Sequence, residues 1–257
     1  MKTIFFSTLI MFAVILQTTA QSVKASEIIN QINRGEDIRY ENVKITDVLD
    51  FTAIDSREQV KEGGGLFDWF GGDNDRFESE VNVKIEFINC TFEDDVLAYY
   101  NDDNSVYLAH FNNTVVFEKC DFKEDTEFKY SKFENLAVFT ENTFEEEANF
   151  KYAEFDEGPD FRGSVFEEEA NFKYAKFKDQ PDFSMATFTE EANFKYANFP
   201  EGVTFEGATF EDLANFKYSE FSEPLNLDNV NFNGDEDFKY TKIEGQSFNS
   251  YLLKNRN

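Results

Sequence analysis

From Phe128 to Phe221 a phenylalanine returns at alternating steps of five and six residues, and Leu227, Phe232, Phe238 and Ile243 continue the series. Four anchors make a period of 22, marked by the phrase Ala-Asn-Phe-Lys-Tyr that starts at Ala148, Ala170, Ala192 and Ala214. Relaxed copies stand at Thr126–Tyr130 and Glu236–Tyr240. A helix scatters these positions around its axis, and a strand divides them between two faces. A coil that turns a corner after each anchor points all four inward, from four sides. A fixed period of this length therefore predicts a solenoid, in which each repeat rests on its neighbours.

The residues two before each anchor are mostly small: Ala148, Ala153, Ser164, Ala170 and Ala175 are typical, with Pro159, Pro181, Val203 and Leu225 as exceptions. A small residue and a large ring on one short strand together fill a narrow tube to the density an interior requires. The residues between are Asn, Asp, Glu, Lys and Tyr, and these face water. With coils about 4.8 Å apart, identical residues stack into ladders. Lys151, Lys173, Lys195 and Lys217 form one, and Tyr152, Tyr174, Tyr196 and Tyr218 another. One reading makes them a solvated surface whose charges neighbouring acids compensate. The sharper reading makes them a rigid recognition face.

Ala148-Asn-Phe-Lys-Tyr152 and Ala153-Glu-Phe-Asp-Glu157 resemble the unit of pentapeptide-repeat proteins: Ala, then Asn or Asp, then Leu or Phe, then two variable residues. The likeness runs from roughly Val115 to Ile243. It implies an all-β fold, a right-handed quadrilateral parallel β-helix with four short strands per coil. This chain departs from the unit by an additional residue in every second copy (Gly158, Glu169, Gln180, Glu191, Gly202, Leu213). Those residues are expected at alternate corners, where Gly158 and Gly202 ease a tight turn.

Residues 1–20 read as a secretory signal peptide: Lys2, an apolar run from Ile4 to Leu16 too short to span a bilayer, and Thr18-Thr19-Ala20 before a cut. The chain is thus expected to be exported, periplasmic or extracellular, with no transmembrane segment. Residues 21–40 form an N-terminal cap with a short helix from about Glu27 to Arg34: Ser26 is its N-cap, Ile28, Ile29 and Ile32 its apolar side, and Gly35 its stop. The helix covers the open edge of the first coil. Val43, Ile45, Val48 and Phe51 begin the strands of the N-terminal coils, 41–114, and the regular coils span 115–245. The last stretch, 246–257, holds Phe248, Tyr251, Leu252 and Leu253, which either cap the final coil or make a homodimer contact through the C-terminal end.

Two insertions interrupt the N-terminal coils. Gly63–Gly72 carries Leu66, Phe67, Trp69 and Phe70 between glycine clusters. These four residues either fold back on the coil or form a partner-binding tip. Asp94–His110 carries Tyr99, Tyr100 and Tyr107 around the acidic run Asn101–Asn104. Repeat proteins place function on such insertions. Cys90 and Cys120 each stand two before an anchor, Phe92 and Phe122. They are either two thiols in the small inward position or, in an exported chain, a disulfide between neighbouring coils.

With Asp+Glu 52 against Lys+Arg 24 the formal charge is −28, which excludes nucleic acid as a direct partner. His110 is the one histidine, and no nucleophile elbow, phosphate loop or metalloprotease pattern accompanies it. No enzyme activity, cofactor or built metal site is expected. Asp73-Asn-Asp75 and Asn101–Asn104 are at most weak Ca2+ sites, without EF-hand spacing. Paired carboxylates are what so acidic a chain holds by chance, so a glycan-active β-helix enzyme is the remotest reading. The leading expectation is an exported, non-catalytic scaffold that binds a protein or envelope component through its ladders or loops. The runner-up, implied by the resemblance, is an acidic DNA mimic that occupies the DNA channel of a topoisomerase. The leader argues against it, and the Lys ladder interrupts the acidic surface.

Overall fold

The computed structural model describes residues 21–60 and 75–248. Leu66, Phe67, Trp69 and Phe70, the leader at 1–20, and Tyr251, Leu252 and Leu253 lie outside the described residues. The chain winds into a right-handed quadrilateral parallel β-helix with one short helix near its start. The hand is the one that parallel strands joined by a crossover adopt almost without exception.

Each coil passes four faces in the same order. Face one begins with Ile38–Glu41, Ile85–Ile88, Val115–Glu118 and Ala137–Thr140, continues by single bridges through Asp160 and Asp182, and ends in Val203–Thr204 and Leu225–Asn226. Face two is a nine-stranded sheet from Gln21–Lys24 to Asn231–Phe232, and face three an eight-stranded one from Leu49–Asp50 to Glu236–Asp237. Face four runs through Lys132–Phe133 to Lys242–Ile243, closed by Gln246–Ser247 pairing antiparallel. The register is the sequence period made visible: Phe144 pairs with Phe166 and Ala170 with Ala192.

Along the axis the inner rings stack. Phe150, Phe172, Phe194 and Phe216 follow one another at 5.0 Å with planes 2–4° apart. Across the tube they meet edge to face, as Phe161 and Phe172 do at 5.2 Å and 84°. Both arrangements suit the aromatic quadrupole, so one residue type can supply every anchor from Phe128 to Phe221. The alanines two before each anchor are buried with them.

The corners correct one expectation. Left-handed backbone recurs at the five-residue corners, where Tyr130, Tyr152, Tyr174, Tyr196, Tyr218 and Tyr240 all have φ between 61° and 65°. Of the two glycines expected to ease a turn, Gly202 does have φ +86°. Gly158 does not; a Cβ there would lie 2.2 Å from the Gln180 carbonyl oxygen, so close approach of the next coil dictates it.

The capping helix spans Ala25–Asn33 and buries Ala25, Ile28 and Ile32, with Ile29 partly buried. Its N-cap is Lys24, without a side-chain bond, and not Ser26. The reason is that Gln21–Lys24 is already a strand on face two, paired with Val43–Thr46, and runs straight into the helix. Gly35, with φ +71°, follows the C-cap Arg34. The first coil strand begins at Ile38, inside the stretch read as cap, because Ile38–Glu41 pairs with Ile85–Ile88. Val48 is 41% exposed and Leu49 is the inward residue.

Candidate interaction surface

The two insertions leave the coil at the same corner, between faces three and four, on consecutive turns. In the regular coils Phe128 and Phe133 bracket that corner. Strand register places Leu49 and Val96 beside Thr126, so Phe51 and Ala98 take the place of Phe128, while Val81 and Phe111 take that of Phe133. Between Phe51 and Val81 stand 29 residues, and between Ala98 and Phe111 twelve, where the regular corner from Phe128 to Phe133 has four; the excess is extra chain. Asp94, Asp95, Val96 and Leu97 belong to the coil itself, so the second insertion is shorter than the sequence interval suggests.

The extra chain builds one flap. Asp75–Val81 pairs in parallel with Ser105–Phe111 over seven positions. Glu58–Val60 flanks one side and Tyr99–Asn101 the other, both antiparallel. Phe77 stacks on Tyr107 at 5.1 Å, Tyr100 on Tyr107 at 5.8 Å, and Arg57 lies 5.4 Å from the Tyr107 ring. The Asn101–Asn104 run is the turn of this hairpin. Asp102 Oδ1 accepts from the N–H groups of Asn104 and Ser105, which occupies it as a turn former. Among the described residues no group of three His, Cys, Asp or Glu is placed to hold a metal ion.

His110 ties the flap to the third coil. Its Nδ1 accepts from the Lys132 N–H at 3.1 Å, and its Nε2 lies 3.7 Å from Glu78 Oε1. The hydrogen bond from His110, with Arg76 beyond it, holds the Glu78 carboxyl below the usual range.

Face three carries the outward ladders, and the flap continues them. Tyr130, Tyr152, Tyr174, Tyr196, Tyr218 and Tyr240 stack at 4.6–4.8 Å. Tyr99 of the flap meets Tyr130 at 5.9 Å. Since ring lies on ring, the ladder offers a ligand its edges and phenol oxygens, not its ring faces. Each lysine ammonium of the column sits over its own tyrosine, as Lys173 does at 5.5 Å and Lys239 at 5.0 Å, and Lys129 also lies 4.2 Å from the Tyr99 ring. Among the described residues, the one carboxylate within ion-pair distance of this column is Asp237, 4.0 Å from Lys217. Glu169 and Glu147 act on Lys151 from beyond ion-pair distance, as the expected compensation by neighbouring acids requires, and the tyrosine rings lie beside the same ammonium groups. Burial, followed by the flanking Lys129 and Lys173, pushes the Lys151 ammonium down.

Beside the lysines runs an amide column, Asn149, Asn171, Asn193 and Asn215. Each accepts with Oδ1 from the N–H of the lysine two residues on. Nδ2 of Asn193 donates to Glu169 and that of Asn215 to Glu191. These glutamates open the far border of the face, the corner from face two. There, residues 93–95, 123–125, 145–147, 167–169, 189–191, 211–213 and 233–235 stack into an acidic ridge whose one basic member is Lys123, paired with Glu145. Burial first, then Asp125 or Glu169, raises Asp95 and Glu147. On face three, between Leu97 and Asn149, burial pushes Glu127 up to about 7, the Asn149 amide opposing it. Face three is thus a strip with carboxylates along one border, lysines and tyrosines along the other, and the flap at one end. Sequence periodicity reaches the strip; the common origin of both insertions emerges only when strand register is known.

Cys90 and Cys120 are free thiols on neighbouring rungs of face two, both buried. Asn142 and Ser164 continue their column as buried polar residues. Asn142 Oδ1 accepts from the Cys120 N–H at 2.8 Å, and its Nδ2 donates to the Phe117 carbonyl at 2.9 Å. No sequence signal separates this Asn from its surface counterparts except its place two before an anchor.

The family described as pentapeptide repeats (9 copies) matches residues 128–176 and 172–220. No curated protein and no solved structure matches the chain. Every strand of the matched segment lies on the regular coils, where the inward anchors are unbroken. Residues 128–220 of the regular coils therefore carry the repeats of the pentapeptide-repeat family.

Proposed function

We propose that this chain is a non-catalytic repeat scaffold that binds a protein or envelope component along face three, with the flap fixing where the partner sits. The observation that carries this reading is the meeting of two separate insertions in one sheet, at the end of a rigid strip of lysine and tyrosine. A coil needs neither insertion to close, since the regular coils close without them. Residues 1–20 direct the chain out of the cytoplasm, and Leu66, Phe67, Trp69 and Phe70 take part in partner binding. The test is capture of partners from envelope extract with three baits. Wild type and a Met185→Ala variant, altered on the opposite corner, retain the partner. A Tyr100→Ala/Tyr107→Ala variant loses it. Retention by all three baits contradicts the reading.

The acidic ridge favours a second reading, in which the rod mimics DNA for a topoisomerase. That reading requires a cytoplasmic chain, so the mature N-terminus separates the two. Cleavage before Gln21 supports export, whereas an intact Met1 supports the mimic.

A further inference from the structure

We propose that Cys90 and Cys120 close a disulfide between the second and third coils, stapling the coil from which the flap's hairpin arises. Thr91 pairs with Asp121 and Phe92 with Phe122 in parallel register, and the Asp121 N–H donates to the Cys90 carbonyl at 2.9 Å. The two cysteines are therefore direct neighbours across one rung, at the strand spacing of about 4.8 Å. That lies within the Cα separation of about 4.4–6.8 Å that a disulfide spans. Both side chains point into the tube, 1% and 0% exposed. The closed loop, Cys90 to Cys120, contains the whole Tyr99–Phe111 hairpin, so the bond pins the base of the flap.

The closing chemistry is thiol–disulfide exchange. One cysteine, as its thiolate, attacks a disulfide donor such as oxidised glutathione, forming a mixed disulfide and releasing one glutathione thiolate. The other then gives up its proton and attacks that cysteine's sulfur, expelling the second glutathione. Two thiols become one disulfide, and the donor takes up the two electrons as it becomes two thiols. Because both sulfurs are shielded in the finished coil, exchange occurs while the coils close.

The test is refolding of reduced, denatured protein in a mixture of reduced and oxidised glutathione, followed by denaturation, alkylation and mass analysis. Resistance of both cysteines to alkylation in a monomer, lost in Cys90→Ala and Cys120→Ala, supports the staple. So does a thermal midpoint about 5–10 °C above that of the reduced protein. Alanine occupies the same column at Ala186 and Ala208, so these variants fit the coil. Cysteines that remain alkylated, glutathione adducts alone, or a disulfide-linked dimer would each overturn the proposal. Because purified protein is used, the result is independent of partner binding on face three.

Discussion

The regular coils and the N-terminal coils share one register but solve the same packing problem differently. From Phe128 to Phe221 every anchor is phenylalanine, and the core is a repeating lattice of stacked and perpendicular rings. Between Ile38 and Phe111 the inward positions include Ile45, Leu49, Val81, Ile85, Val96 and Ala98. Mixed aliphatic packing thins the ladder to stacks such as Phe87 on Phe117 and Phe92 on Phe122, and other contacts join in: the helix over the first coil, and Phe51 meeting Phe111 edge to face at 5.2 Å. The difference teaches that regularity supplies rigidity, while individuality sits where the repeat is broken. Two breaks at one corner yield a sheet that no regular coil possesses.

The sharpest way to break this comparison is to remove an inner ring. Phe172→Ala leaves a cavity among stacked neighbours above, below and beside it, and is expected to cost about 3–5 kcal/mol in chemical denaturation. A loss under about 1 kcal/mol would show that the lattice relaxes around a missing ring, contrary to close packing.

The tyrosine ladder gives a finer test, because each ring stands on a left-handed backbone. Tyr174 has φ +61° and stacks on Tyr152 at 4.7 Å and Tyr196 at 4.6 Å. Tyr174→Ala loses the stack and keeps the strain, whereas Tyr174→Gly loses both. The glycine variant is expected to be more stable than the alanine variant by about 1 kcal/mol. The reverse order would mean that the corner is not strained.

Glu127 makes the comparison pH-dependent. Its folded pKa, about 7, lies above the ordinary value of 4.5, so the folded state holds the proton more tightly. Stability contributed by this group is fully present below about pH 4.5 and falls as the pH rises toward 7. Glu127→Gln flattens that part of the profile and is more stable than wild type at pH 8. Denaturation midpoints across the range check this, and an unchanged slope would contradict the assignment. The smallest effect is expected at the surface: Lys173→Ala changes stability by less than about 0.5 kcal/mol.

The regular half was legible because one spacing dictates it. Five and six residues between phenylalanines leave no helix or simple strand as an alternative, and pairing 22 residues apart follows directly. The candidate surface was legible in parts only. The lysine and tyrosine ladders follow from the period, but the role of their rings does not. Stacking hides the ring faces and turns the tyrosines into supports for the lysines. The N-cap at Ser26 failed because tertiary pairing of Gln21–Lys24 outranked local capping preference. Val48, read as one of the residues that begin the strands, stands just before Leu49–Asp50 and is exposed, because a hydrophobic residue next to a corner carries no sign of its face. The flap was invisible to periodicity, since its strands pair across an insertion boundary that sequence spacing alone does not locate.

The central claim, that the flap and face three form one binding surface, is tested most directly by site-specific photo-crosslinking. A photoreactive residue is placed in turn at Tyr100, Tyr196 and Met185, all exposed, and each variant is irradiated in envelope extract. The account predicts the same crosslinked species from Tyr100 and Tyr196 and none from Met185. Crosslinks of equal yield from all three positions, or from Met185 alone, would contradict it.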